Sequence, residues 1–167
     1  MLRKSNNYNI MVLTTMLFAF GCKNDTRTLE SEQSMFENEK EAILETINEE
    51  TKAAFNRNYL SWREKWVHDS FVTKTYMNMT DSSMSETIGW EEINLFVKNY
   101  IEEHPERDPV PSLVDDIKVQ FYGNGAWVNF DQNDSLRGLK RETRLMHKVN
   151  GKWKIAGMHT TIYGFRK

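Results

Sequence analysis

From Met35 onward apolar residues recur at three- and four-residue spacing. Ile43, Leu44, Ile47, Ala54 and Phe55 alternate with Glu and Lys, which predicts an amphipathic helix. The stripe continues through Phe55, Tyr59, Trp62 and Trp66, so this is one long helix or two with a break near Asn56 to Asn58. In "HDSFVTKTYMNM" β-branched and aromatic residues take over and the helical spacing ends, as expected of a strand. Residues 80–89 are rich in Ser, Thr and Asp and read as a loop with room for a short strand. A further helix begins near Trp90. Glu91 and Glu92 suit its positive end, Ile93, Phe96, Val97, Tyr100 and Ile101 form its apolar face, and Pro105 stops it. Beyond Pro109 and Pro111 everything reads as strand, in two hairpins turning at Asn124-Gly125 and Asn150-Gly151. Helices first and a meander afterwards predict an α+β domain with helices on one face of a curved antiparallel sheet.

Length adds that one domain is expected from 167 residues. Charge narrows the partners. Twenty-two basic and 24 acidic residues are interspersed, with a net charge of -2 and no basic block, which argues against nucleic acid. The first residues differ from the rest: Arg3 and Lys4 precede the apolar run "IMVLTTMLFAFG", which is too short to span a bilayer but suits the core of a secretory signal. The sole cysteine, Cys22, follows directly. This arrangement resembles a bacterial lipoprotein signal in which Cys22 is lipidated, although Ala19 and Phe20 depart from the usual residues. The expected organisation is a signal over 1–21, a polar tether over 22–35 and a domain over 36–167, anchored by lipid in the cell envelope. Four histidines without paired spacing make a zinc site unexpected, and nothing in the sequence asks for a cofactor.

The element order, "WEEINLFVKNYIEEHP" in its middle and "GKWKIAGMHTT" at its end resemble the nuclear-transport-factor-2-like superfamily. More narrowly the ending is similar to SnoaL-like domains, with Gly151, Trp153, Ile155 and His159 at the matching places. The resemblance covers roughly residues 36–165. It implies a cone-shaped cavity between helices and sheet, and homodimers formed through the outer sheet face. Activity is not implied, because relatives include isomerases, dehydratases, epoxide hydrolases and domains that only bind or assemble.

A two-residue turn at Asn150-Gly151 pairs Met146 with Ile155, Arg144 with Gly157 and Glu142 with His159 by simple counting. Glu142, Arg144, Met146, Trp153, Ile155 and His159 then share the cavity face, and Gly157 leaves room for the Arg144 side chain. Leu145, Ala156, Met158 and Thr160 fall on the dimer face. Of the two faces of the 117–131 hairpin, the one carrying Trp127, Asn129 and Asp131 is expected to line the cavity. Tyr59, Trp62, Trp66, Tyr76, Trp90 and Tyr100 belong either to the core or to an aromatic ligand box.

Three functions remain open. A binder would use Arg144 in an aromatic pocket to hold a small anionic or aromatic molecule. An enzyme would use His159 and Glu142 as acid and base. The carboxylate base of ketosteroid isomerase relatives finds no counterpart among Thr73, Lys74 and Thr75, and Glu142, Arg144 and Asp131 match epoxide hydrolase relatives in residue type but not in order. An assembly module would use only the outer face.

Overall fold

The computed structural model describes residues 24–134 and 137–165, so the signal and Cys22 lie outside the described residues. α1 runs Asn24–Phe55. Its helical backbone therefore already includes most of the segment expected to be a polar tether. The buried positions Ile43, Ile47 and Glu50 follow one another at helical spacing on the face packed against the sheet. α1 ends where Arg57 adopts a left-handed φ of 59°, and Asn58 caps the short helix α2, Tyr59–Glu64, by accepting a bond from Ser61 N–H. The Arg57 guanidinium ties this corner to the segment after α3, donating to the His104 carbonyl at 2.8 Å and to Asp108 at 2.7 Å.

β1 (Thr73–Asn78) and β2 (Ser83–Ile88) precede α3 (Trp90–Glu103). β3 (Lys118–Tyr122), β4 (Gly125–Asp134), β5 (Gly138–Val149) and β6 (Lys152–Gly164) follow it. The sheet order is β2-β1-β6-β5-β4-β3, with every neighbour antiparallel except the parallel pair of β1 and β6. The α+β architecture thus stands as expected. The loop over 80–89 contains a full strand. The first hairpin turns one residue earlier than expected, at Gly123-Asn124, because Tyr122 pairs with Gly125. Gly123 carries the positive φ that such a turn requires at its first position. The second turns at Asn150-Gly151 as expected, with both residues at positive φ.

The helices cover one sheet face. Ile43 and Ile47 of α1, Trp62 of α2, Trp66, and Trp90 and Ile93 of α3 meet Val128, Met146, Trp153 and Ile155 of the strands. The connection after α3 is pinned to α1 by a reciprocal pair of bonds between the Asn48 side chain and the backbone of Val114.

One irregularity decides which residues face the helices. Met146 pairs with Ile155 but Leu145 pairs with Gly157, leaving Ala156 as an extra residue in β6. At this point β6 changes neighbours. Ile155 exchanges backbone bonds with Lys65 and Val67, whereas from Gly157 on the strand pairs with β1. Every residue after the bulge is displaced by one position from simple counting, so the inward series is Trp153, Ile155, Met158, Thr160 and Ile162, all buried.

Candidate functional site

Beyond the bulge the β5–β6 register joins Glu142 to Thr160 and Arg144 to Met158. His159 pairs with Thr143, is exposed and faces outward, so the expected pair of His159 with Glu142 does not form. Gly157 likewise lies beneath Leu145, not Arg144: a Cβ added there would meet Leu145 side-chain atoms at 3.1–3.3 Å.

Two rows of side chains cross the concave face. One runs Lys74, Met158, Arg144, Val128, and the other Tyr76, Thr160, Glu142, Phe130. With neighbouring strands about 4.8 Å apart, the Cα atoms of Lys74 and Arg144 stand roughly 10 Å from each other across the intervening Met158.

Glu142 is 3% exposed and Arg144 4%. The Glu142 Oε2 accepts from Arg144 Nη1 at 2.6 Å and from the Thr160 hydroxyl at 2.7 Å, and Lys140 Nζ approaches Oε1 at 3.4 Å. From the helical side Glu50, also buried, accepts from the indole N–H groups of Trp62 at 2.8 Å and Trp66 at 3.3 Å. Both buried carboxylates are therefore engaged by protein donors, as burial of such groups demands.

The two buried cations among the described residues are less fully engaged. Arg144 Nε has no hydrogen-bond partner. Among the described residues no hydrogen bond or ion pair reaches Lys74 Nζ, which sits 4.2 Å from the ring centre of Tyr76 and 4.9 Å from that of Phe96. Burial lowers the pKa of Lys74 to about 8, partly opposed by Glu50 and Glu142, with Arg144 adding to the lowering. Burial, reinforced by Glu142, pushes the Tyr76 phenol up, so it stays protonated.

The remaining expected residues divide plainly. Tyr76 is in the site. Trp62, Trp66 and Trp90 are core, with ring centres 5.7–5.9 Å apart, although the first two reach the site through Glu50. Tyr59 packs beside Trp62 and donates to Asn94. Tyr100 is exposed and lies against His104 and Arg57, away from the rows. The expectation for the first hairpin is reversed. Ala126, Val128 and Phe130 pair with Met146, Arg144 and Glu142 and face inward, while Trp127, Asn129 and Asp131 face outward. Trp127 is half exposed, Asn129 accepts from Thr143, and Asp131 forms a two-point ion pair with Arg141 at 2.8 and 3.1 Å. Asp131 therefore does not join Glu142 and Arg144. Met158 and Thr160 leave the outer face, to which His159 moves.

Sequence reasoning missed Glu50, Lys74 and Thr160. Glu50 had a signal, an acid on the stripe of Ile43 and Ile47, and so had Lys74, which shares strand parity with buried Val72 and with Tyr76. Thr160 had none, since only the bulge brings it inward. Among the described residues no three His, Cys, Asp or Glu side chains converge as a metal site would require, and no helix is long and apolar enough to cross a membrane.

Solved structures share this fold at low sequence identity. An NTF2-like protein of unknown function from Pseudomonas putida superposes with a TM-score of 0.57 at 14% identity, covering 74% of this chain and 86% of its own. The chain has the NTF2-like fold. An NTF2-like superfamily protein from Salmonella enterica serovar Typhimurium gives 0.56 at 19% identity, covering 77% and 92%. A proposed dehydratase of the NTF2-like family from Streptomyces avermitilis gives 0.56 at 12%, covering 75% and 96%. Identities this low speak for fold alone. No family model and no curated protein matches the sequence.

Proposed function

We propose that this NTF2-like domain binds a small anionic molecule, aromatic or flat in its body, against Lys74 and Arg144 on the concave sheet face. The observation that carries the reading is the imbalance of satisfied groups. Glu142 accepts from Arg144 and Thr160 and Glu50 accepts from two indoles through Oε1, whereas the enclosed Arg144 Nε has no partner and Lys74 Nζ, on a buried residue beside the Tyr76 ring, meets no protein acceptor among the described residues. Unpaired buried donors are costly, and a carboxylate or phosphate arriving between them supplies what they lack.

A thermal-shift screen of small acids and aromatic acids on the full chain, run beside Arg144→Ala and Lys74→Met, tests this. A ligand at a hundred times its dissociation constant adds about 2.7 kcal/mol. Stabilisation of the wild type that both variants lose is the expected result. A ligand that stabilises all three equally, or none that stabilises any, overturns it.

The same reading makes the chain a cell-envelope lipoprotein, held to a membrane through Cys22 and otherwise free of it. The apolar run before Cys22 supports that, and membrane attachment that survives Cys22→Ser would refute it. A homodimer through the outer face is part of the proposal. Half-exposed Trp127 and Tyr122 and the neighbouring Leu145 supply its apolar area, and sedimentation that is unchanged by Trp127→Glu would remove it. Exposed His159 belongs to that face and not to acid and base chemistry. An enzymatic reading, in the direction of the dehydratase proposed for the Streptomyces neighbour, would have to run on Lys74, Tyr76 and Glu142 instead.

A further inference from the structure

We propose that the Lys74 amine captures a small 2-oxo acid as an imine while the Arg144 guanidinium holds its carboxylate. The inference rests on the anion-binding reading above and goes beyond it by assigning the amine a covalent role.

Three observations point to it. First, a buried lysine that only braces a fold is paired with a carboxylate, and Lys74 is not. Both carboxylates that influence it are engaged elsewhere, Glu50 by two indoles and Glu142 by Arg144, Thr160 and Lys140. The Nζ instead stands beside the rings of Tyr76 and Phe96, which offer it no acceptor stronger than a π face. Second, Lys74 and Arg144 lie in one row with apolar Met158 between them. Their Cα atoms stand roughly 10 Å apart, a span that two long side chains can share with one small molecule. A molecule whose carbonyl carbon is bonded directly to its carboxylate would offer one group to each. Third, Phe96 of α3 is 51% exposed although its ring lies against the buried amine, so a single side chain on that flank stands between the amine and solvent.

The chemistry needs no co-reactant. The neutral amine's lone pair forms a bond to the carbonyl carbon, and the C=O π pair moves to oxygen, which takes up a proton. The carbinolamine then expels that oxygen as water as the nitrogen forms its double bond to carbon. The two protons lost by nitrogen leave in the water, so amine and carbonyl give imine and water. The pKa of about 8 favours the first step. At pH 7 about a tenth of such amines are neutral, against roughly one in three thousand for an ordinary lysine.

The test incubates the full chain with pyruvate, reduces with sodium borohydride, and reads intact mass and then the modified peptide. The expected result is one saturable reduced adduct on Lys74, in yield at least about tenfold above any other lysine, given the difference in neutral fraction. It should be absent in Lys74→Arg, which keeps the charge, and suppressed by excess lactate, which has the carboxylate but no carbonyl. Mapping the wild-type adduct keeps the test decisive even if Lys74→Arg fails to fold. If lactate and pyruvate both stabilise the wild type but no adduct forms on Lys74, the imine is refuted and anion binding stands. If neither stabilises and nothing is trapped, the imine is refuted and this class of anion goes with it. Trapping spread evenly over the surface lysines also overturns the proposal.

Discussion

Replacing Lys74 with methionine should make the protein more stable, although it takes a cation away from a site that holds two carboxylates. Lys74 as a whole is only 8% exposed in the fold. Burial holds its pKa at about 8 from the ordinary 10.5, with Glu50 and Glu142 pulling the other way and Arg144 adding to the lowering. Because the folded protein binds this proton less tightly than the unfolded chain, the charged lysine opposes folding. That opposition is complete below pH 8, shrinks as pH rises from 8 toward 10.5, and vanishes above. The interval from 10.5 down to about 8 corresponds to roughly 3 kcal/mol. Methionine keeps the length and apolar stem of the side chain, so Lys74→Met should gain about 2–3 kcal/mol at neutral pH, and the gain should narrow by about 1.4 kcal/mol for each pH unit above 8. Urea denaturation followed by tryptophan fluorescence, at neutral pH and again near pH 9.5, measures both. A variant less stable than the wild type at neutral pH, or a gain that persists undiminished under alkaline conditions, would refute the reasoning. A proposed binding site that opposes its own fold in this way follows the usual exchange between stability and function.

Glu142→Ala should cost about 3–5 kcal/mol, because it strands Arg144 in the interior, and adding Arg144→Met should recover part of that loss in a double-mutant cycle by urea denaturation. Deleting Ala156 removes only the extra residue: Gly157 stays opposite Leu145, Met158 opposite Arg144 and Thr160 opposite Glu142, so β6 keeps its inward series without the bulge. The expected outcome is a cooperative unfolding transition by calorimetry that survives the deletion, since no buried residue changes face; its loss would refute the assignment of Ala156 as the extra residue. Gly138 has a φ of 78°, and a Cβ there would stand 2.3 Å from the Gly164 carbonyl. Gly138→Ala should therefore lower stability by about 1–3 kcal/mol in the same denaturation assay.

The fold was legible because its signals are local. The stripe through Ile43 and Ile47, the stop at Pro105 and the Asn150-Gly151 turn each act over a few residues, and each fell where its chemistry puts it. The site was less legible because its composition depends on parity along β6, and parity depends on the whole strand. Ala156 carries no sequence mark of a bulge. The cause lies more than eighty residues away, where Lys65 and Val67 take the backbone bonds of Ile155 and β1 takes those beyond. Simple counting therefore found Glu142 and Arg144, which precede the bulge in the hairpin's pairing partner, and misplaced His159, which follows it. The error over Trp127 has a different origin. Polar residues were expected inside, but a buried charged pair is better neighboured by Val128 and Phe130, which exclude water from it.

α1 begins at Asn24 and bears Glu50 near its other end. At about 1.5 Å per residue the two positions are some 39 Å apart on one helical axis, so they belong to a single rod. A chain held just before Asn24 would not let its domain tumble as a bead on a string. It would fix a bearing and a height, and a twist or tilt imposed at the near end would be delivered, as through a spindle, to the carboxylate that bonds the two buried indoles.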